Sequence, residues 1–176
     1  MKRGLIIVDP QYDFITGTLP VAGAEEAMNR LAQLLPDMDV AEIIVTMDAH
    51  PMNHMSYTDQ GGEWPPHCTK YSKGAAVWDP LFQALKGRKV TFLEKGVDQA
   101  REEYSAFEQS YPKVLDECDE IWLCGIAGNV CVLNSLRDLV QHGLGKKIVV
   151  LRSLSPSLDD GSALEAMINE CGVRKQ

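Results

Sequence analysis

Short apolar runs rich in β-branched residues recur along the chain and constrain its fold more than any other feature. Each run is four to seven residues long and lacks polar alternation. Such runs are too short for buried helices and are typical of parallel strands that are covered on both faces. The runs are GLIIV at 4–8, AEIIVTM at 41–47, VTFL at 90–93, EIWLC at 120–124 and KIVVL at 147–151.

Stretches with helical spacing of apolar residues lie between several of these runs. We expect three helices, over residues 24–35, 129–143 and 157–172. Pro36 stops the first helix, and Asn129 and Gly143 are the expected caps of the second. Alternation of strands and helices predicts an α/β fold: a three-layer, doubly wound parallel sheet of five or six strands. A sixth strand, near GVRK at 172–175, would be very short. We expect a single domain spanning residues 1–176.

Composition narrows the class of protein. The formal net charge of −8 argues against broad attraction to nucleic acid or to an anionic membrane, and no apolar run approaches the length of a membrane span. The first apolar run has only four residues before Asp9 interrupts it, which favours a strand over a signal peptide. An odd number of cysteines, five, then predicts reduced thiols and a cytoplasmic protein.

Reactive side chains follow the predicted strands at the end where ligands bind in open parallel sheets. Asp9 follows the first run, Lys95 follows the third, and a glycine-rich bend after the fourth leads to Cys131. Asp48 and His50 follow the second run. Taken singly, each has an ordinary structural explanation as a turn, surface or packing residue. Together they predict that a carboxylate, an ammonium and a thiol meet at one edge of the sheet.

A thiol, a base and a cation form a working nucleophilic site. Cys131 would lie near a helix N-terminus and an ammonium, which both favour the thiolate. Asp9 could accept the thiol proton and return it to a leaving group. The backbone N–H groups from Ala127 to Cys131 could form an oxyanion hole.

The histidine-rich loop at 48–75 indicates a metal site. Asp48 and His50 are two residues apart on an extended segment, so their side chains point to the same side, and His67 follows the rigid WPP turn. Two imidazoles and one carboxylate leave coordination positions open, as catalytic metal sites do. His54 could be a fourth ligand. The simpler alternative is that these histidines are exposed in a polar loop.

Four motifs occur in the order in which one family carries them. They are LIIVDPQYDF, the loop DAHPMNHMSY with WPPHC, EKG, and GIAGNVCV. The chain resembles the isochorismatase-like cysteine hydrolases and, within them, the nicotinamidases, from residue 4 to about 151. By position, Asp9 matches the family's proton-transferring aspartate, Lys95 its catalytic lysine and Cys131 its nucleophile. The resemblance also implies a cis peptide bond before Ala127.

The resemblance further implies a cofactor and a substrate. Asp48, His50 and His67 match the ligands of a divalent metal, taken first as zinc, with iron and manganese as alternatives. The family's aromatic residues around the substrate ring are matched at three positions: Phe14, Trp64 and Tyr104.

The expected reaction is hydrolysis of nicotinamide to nicotinate and ammonia through a thioester on Cys131, with the pyridine nitrogen on the metal, as part of NAD salvage. Family analogy also predicts a homo-oligomer.

Two other functions stay open at this point. The chain could be another hydrolase of the superfamily that acts on a different small amide or ether, and a metal-free protein would favour that function. Gly128, Asn129 and Ala49 differ from the family's usual residues and leave the substrate preference open. Alternatively, the chain could be a non-catalytic ligand-binding or redox-sensing protein, with Cys131 as the sensor.

Overall fold

Six parallel strands form one twisted sheet in the computed structural model, which describes residues 1–176. The strand order is β3-β2-β1-β4-β5-β6, and every neighbouring pair is parallel. Each predicted run forms a strand, and the sixth has two residues. The strands are β1 Arg3–Val8, β2 Glu42–Asp48, β3 Val90–Lys95, β4 Glu120–Gly125, β5 Ile148–Val150 and β6 Arg174–Lys175.

Helices cover both faces of the sheet and confirm the prediction of three layers. The helices are α1 Tyr12–Ile15, α2 Ala24–Leu34, α3 Asp79–Leu85, α4 Leu133–Gln141 and α5 Ser162–Cys171. Leu5 and Ile7 of β1 pack in one apolar cluster with α2 and α3, whereas Ile6 and Val8 pack in a second cluster with α4 and α5. Each fully buried aliphatic side chain of this kind contributes about 1.5–3 kcal/mol to folding.

The helix that follows β4 begins later than predicted. Residues Gly128–Val132 form a wider π-helical turn, and regular helix starts at Leu133. Asn129 is therefore not an N-cap; its side-chain oxygen accepts a hydrogen bond from the Leu158 N–H at 2.9 Å. Gly143 does follow the end of α4, with a φ of 86° that suits glycine.

The last helix also starts later, at Ser162 instead of residue 157. The carboxylate of Asp159 accepts the Gly161 N–H at 2.8 Å and that of Asp160 accepts the Ser162 N–H at 3.0 Å. Aspartate side chains that bond nearby backbone N–H groups favour turns, so residues 157–161 form a loop.

One strand departs from the expectation that every run is covered on both faces. β3 pairs only with β2 and lies at the sheet edge, where the side chain of Phe92 is 45% exposed. None of the helices combines the length and apolar character that a membrane crossing requires. The five cysteines are all free thiols.

The order of strands in the sheet has a topological switch point between β1 and β4. From β1 the sheet grows through β2 to β3 on one side, and then from β4 to β6 on the other. In open α/β sheets, ligands bind beyond the carboxyl ends of the strands at such a switch point. Asp9 follows β1 and the turn that carries Cys131 follows β4, so the switch point is where the site is expected.

Candidate active site

A sharp bend after β4 places Cys131 over the end of β1. Gly125 has a φ of 129°, and a Cβ on it would lie 2.2 Å from the carbonyl oxygen of Val8. Only glycine allows this close approach. The next peptide bond, Ile126–Ala127, is cis, as the resemblance implied.

Asp9, Lys95 and Cys131 meet beneath this bend. The Lys95 ammonium lies 2.8 Å from the Asp9 carboxylate and donates to the Cys131 sulfur at 3.6 Å. It also contacts the carboxylate of Asp48. Oxygens of the two carboxylates and the Cys131 sulfur all lie within 4.8 Å of one another. All four side chains are buried, so their charges interact in a medium of low polarity.

Burial shifts the pKa values of the Cys131 thiol and of the charged groups beside it. It raises the pKa of Cys131 well above its usual value, and the lowering effect of Lys95 does not offset this. It also raises the pKa of Asp9. Burial lowers the pKa of Lys95, but Asp48 and Asp9 outweigh it and raise that pKa well above the usual range. Burial therefore opposes ionisation of the Cys131 thiol, whereas the adjacent Lys95 ammonium favours it.

Three side chains turn their potential metal-ligating atoms toward one point: Asp48, His50 and His67. The Nε2 atoms of His50 and His67 lie 3.5 and 3.8 Å from one carboxylate oxygen of Asp48. The Nδ1 atoms donate to backbone carbonyls, that of His50 to Gly96 at 2.8 Å and that of His67 to Pro65 at 2.7 Å. These bonds leave both Nε2 lone pairs free, which is how metal-ligating histidines are oriented. The donor set therefore fits a divalent metal ion.

The charge of this donor set also suits a cation. Burial raises the pKa of Asp48, but the Lys95 ammonium and His50 outweigh burial and hold that pKa below its usual range. Burial lowers the pKa of His67, which favours its neutral ring, whereas at His50 the contacts with Asp48 and the Gly96 carbonyl outweigh burial and raise the pKa. An ionised carboxylate and a neutral imidazole are the forms that bind metals.

His54 supports the donor set and does not complete it. Its Nε2–H donates to the Arg101 carbonyl at 2.9 Å, and its Nδ1 accepts from the Ser56 hydroxyl at 2.7 Å. Both ring nitrogens are thus engaged by protein atoms. The ring stacks on that of His50 at a centroid distance of 4.1 Å and helps to fix its orientation.

One apolar cavity is lined by the three predicted aromatic residues, Phe14, Trp64 and Tyr104. Four other predicted site residues also line it: Asp48, His67, Ala127 and Cys131. The Trp64 indole N–H donates to the Tyr104 hydroxyl at 3.2 Å. Asp9, Lys95 and His50 lie behind this lining. The structure therefore brings every predicted site residue to the cavity or to the layer directly behind it. Five further residues of the lining were not predicted: Leu19, Val21, Glu102, Val130 and Leu158.

Supporting residues behind the cavity were also missed. The Thr46 hydroxyl donates to the Asp9 carboxylate at 2.6 Å, and Gln11 bonds both the N–H and the carbonyl of Asp48 at 2.8 Å. The Asp13 carboxylate accepts the Cys68 N–H at 2.7 Å. Thr46 is one of two hydroxyl residues within the apolar runs; the other, Thr91, is exposed on the edge strand β3. Gln11 and Asp13 stand in the motif around Asp9, although no spacing rule reveals their targets.

The model of one protein family, the Isochorismatase domain, matches residues 3–172. The chain belongs to the isochorismatase family. Among its relatives, the nicotinamidase of Saccharomyces cerevisiae is 29% identical over 205 residues, covering 96% of this chain and 94% of that protein.

Solved structures with the same fold carry ligands that bear on the site. PnC1 from L. infantum in complex with nicotinate superposes with a TM-score of 0.87 at 29% identity, covering 99% of this chain and 92% of that one. The pyrazinamidase of Pyrococcus horikoshii in complex with zinc superposes with a TM-score of 0.83 at 27% identity, covering 100% and 99%. The predicted fold family is confirmed.

Proposed function

We propose that this member of the isochorismatase family is a metal-assisted cysteine amidohydrolase that converts nicotinamide to nicotinate and ammonia. The observation that carries the proposal is that one apolar cavity joins the Asp9, Lys95 and Cys131 group to the Asp48, His50 and His67 group. The names of the relatives support the same reaction, since the yeast protein is a nicotinamidase and the L. infantum structure holds nicotinate.

Binding of a planar aromatic amide follows from the cavity lining. Its walls are largely apolar and include the rings of Phe14, Trp64 and Tyr104. Stacking of aromatic rings contributes about 0.5–1.5 kcal/mol beyond the burial of area. Asp48, His50 and His67 would hold a divalent ion, with zinc the first choice because a related pyrazinamidase binds it. When bound, the ion supplies an open Lewis-acid position suited to a ring nitrogen.

Asp9 and Cys131 carry out the first half of the reaction. As the Cys131 sulfur attacks the amide carbon, its proton passes to the Asp9 carboxylate, whose raised pKa suits a group that takes up and releases protons. The ammonium of Lys95 stabilises the sulfur while it carries negative charge. The N–H of Ala127 makes no hydrogen bond within the chain and, with that of Cys131, would bind the developing oxyanion.

Asp9 also serves the second half. It returns the proton to the departing nitrogen, so that ammonia leaves and a thioester remains on Cys131. Water then attacks the thioester carbon as Asp9 accepts its proton. Collapse of this second intermediate releases nicotinate and returns the thiol. The five free cysteines agree with a reducing compartment such as the cytoplasm, where this reaction would serve NAD salvage.

Ammonia release from nicotinamide and pyrazinamide tests the proposal. Wild-type protein should release ammonia, and Cys131→Ala should reduce release to background. Cys171→Ala, which changes a half-buried cysteine on α5, is the matched control and should keep wild-type turnover. Intact-protein mass spectrometry after rapid quenching should detect an acyl adduct that the Cys131→Ala protein lacks.

The rival functions predict other outcomes. His50→Ala should lower both metal content and turnover, and undiminished turnover in a metal-free His50→Ala protein would exclude metal assistance. A purified wild-type protein that holds no metal and does not hydrolyse nicotinamide would favour a superfamily hydrolase with a non-pyridine substrate. Wild-type protein that releases no ammonia from either amide, and whose thiol oxidises reversibly in an Asp9-independent manner, would favour the redox-sensing function.

A further inference from the structure

The segment that follows β5 is fastened to the turn that carries the nucleophile. The Gly128 N–H donates to the Pro156 carbonyl at 2.7 Å, and the Leu158 N–H donates to the Asn129 side-chain oxygen at 2.9 Å. Both anchoring residues on the turn, Gly128 and Asn129, lie within three positions of Cys131. The segment therefore has a fixed position relative to the reacting sulfur.

The close approach of this segment to the turn that carries Cys131 depends on a glycine at position 128. A Cβ on Gly128 would lie 2.3 Å from the Ser157 hydroxyl oxygen and 2.7 Å from the Ser155 carbonyl oxygen, so only glycine fits there. The guanidinium of Arg152 fixes the rest of the loop by donating to the carbonyls of Ser155 and Gly161, each at 3.1 Å. A loop tied at both ends can present a side chain in a defined place.

The side chain presented is Leu158. It lines the cavity together with Phe14, Trp64 and Val130, yet 43% of it remains exposed. A large apolar side chain that lines a cavity while still exposed to solvent lies at its mouth, where a bound ring would cover it. Leu158 belongs to neither the catalytic group nor the metal-binding group.

We infer that Leu158 determines which ring-substituted amides the cavity accepts, and that Asn129 is the residue that positions it. The inference rests on the proposed function, because the ligand is taken to be an aromatic amide. Leu158 closes one side of the cavity against substituents on the ring. Asn129 acts only through Leu158, by holding the backbone from which this side chain projects.

Selectivity between plain and methylated amides tests Leu158. Ammonia release is measured for nicotinamide and for its 4-, 5- and 6-methyl derivatives, with wild type, Leu158→Ala and Leu34→Ala. Leu34 is the matched control because it is 42% exposed and lies at the end of α2, outside the cavity. In Leu158→Ala we expect KM for nicotinamide to rise about fivefold and kcat to stay within about twofold.

The decisive quantity is the ratio of kcat/KM for each methyl derivative to that for nicotinamide. A pocket that gains room for one methyl group changes such ratios by about tenfold or more. We expect this ratio to rise by that factor for at least one ring position in Leu158→Ala and to stay at the wild-type value in Leu34→Ala. Ratios equal to wild type at all three positions would overturn the inference while leaving the proposed function intact.

Asn129 is tested by comparing two variants. Asn129→Ala removes the acceptor of the Leu158 N–H, and Asn129→Asp retains an oxygen at that place. We expect Asn129→Ala to shift the selectivity ratios in the same direction as Leu158→Ala, and Asn129→Asp to restore the wild-type ratios. A loss of kcat with unchanged ratios in Asn129→Ala would show a merely structural role and refute the positioning claim.

Binding measurements keep the inference testable if no ammonia is released. The same amides are titrated calorimetrically into zinc-loaded Cys131→Ala protein, with and without Leu158→Ala. A relative gain in affinity for a methyl derivative supports the inference independently of turnover. Equal affinities in the two proteins, or no binding of any amide, would overturn it.

Discussion

Replacing Thr46 with valine isolates the one hydroxyl that supports the proposed proton carrier. The Thr46 hydroxyl donates to the Asp9 carboxylate at 2.6 Å, and both side chains are fully buried. Valine has nearly the same shape but cannot donate a hydrogen bond. The substitution therefore changes the environment of Asp9 without touching Lys95 or Cys131.

The size of the effect follows from this contact. Burial raises the pKa of Asp9, and Lys95 and the Thr46 hydroxyl both lower it. A hydrogen bond to a charged group contributes about 1.5–3 kcal/mol, and a pKa unit corresponds to about 1.4 kcal/mol. Losing the Thr46 hydroxyl removes stabilisation of about this size from the carboxylate form, so the pKa of Asp9 should rise further.

The pH dependence of kcat/KM for nicotinamide measures this shift, because it reports the protonation of the free enzyme. The reaction needs Asp9 as a carboxylate, so the acid limb of the profile should move to higher pH in Thr46→Val. Thr91→Val, an exposed threonine on β3, is the control and should leave the limb in place. If Thr46→Val folds and its acid limb coincides with that of the control, Asp9 is not the group that titrates and the proton-transfer scheme fails.

Three further perturbations probe the metal-binding group. Gln11→Leu removes the hydrogen bonds to the N–H and the carbonyl of Asp48. It should weaken zinc binding about 10–100-fold, measured by chelator competition. Unchanged affinity would refute the role of Gln11 in positioning Asp48. Gly96→Ala places a Cβ 2.3 Å from the His50 ring and should lower zinc occupancy. Gly87 also has a positive φ but has open space around it, so Gly87→Ala should only reduce stability, by roughly 1–2 kcal/mol. Equal metal contents in the two variants would contradict this. Chelator-treated protein should lose nicotinamide hydrolysis and regain it with zinc, and full activity after verified metal removal would exclude metal assistance.

Local sequence signals were sufficient for the sheet because buried parallel strands must be apolar along their whole length. Five runs gave five strands, and GVRK gave the short sixth. The prediction was least accurate where a strand has one neighbour or where a helix starts. β3 is half covered since it is an edge strand, and the helix after β4 starts at Leu133 because the chain first makes a π-helical turn. Neither pairing partners nor turn width is encoded in apolar periodicity.

The sequence by itself determined which chemical groups meet, since strand ends in a parallel sheet share one edge and carry Asp9, Asp48, Lys95 and the turn to Cys131 with them. Only the tertiary structure decided how deeply these groups are buried, and burial by the surrounding fold raises the pKa of the Cys131 thiol. It also decided that His54 braces His50 and that Leu158 reaches the cavity. These outcomes depend on contacts between segments far apart in the chain, and the order of residues along the chain does not specify such distances.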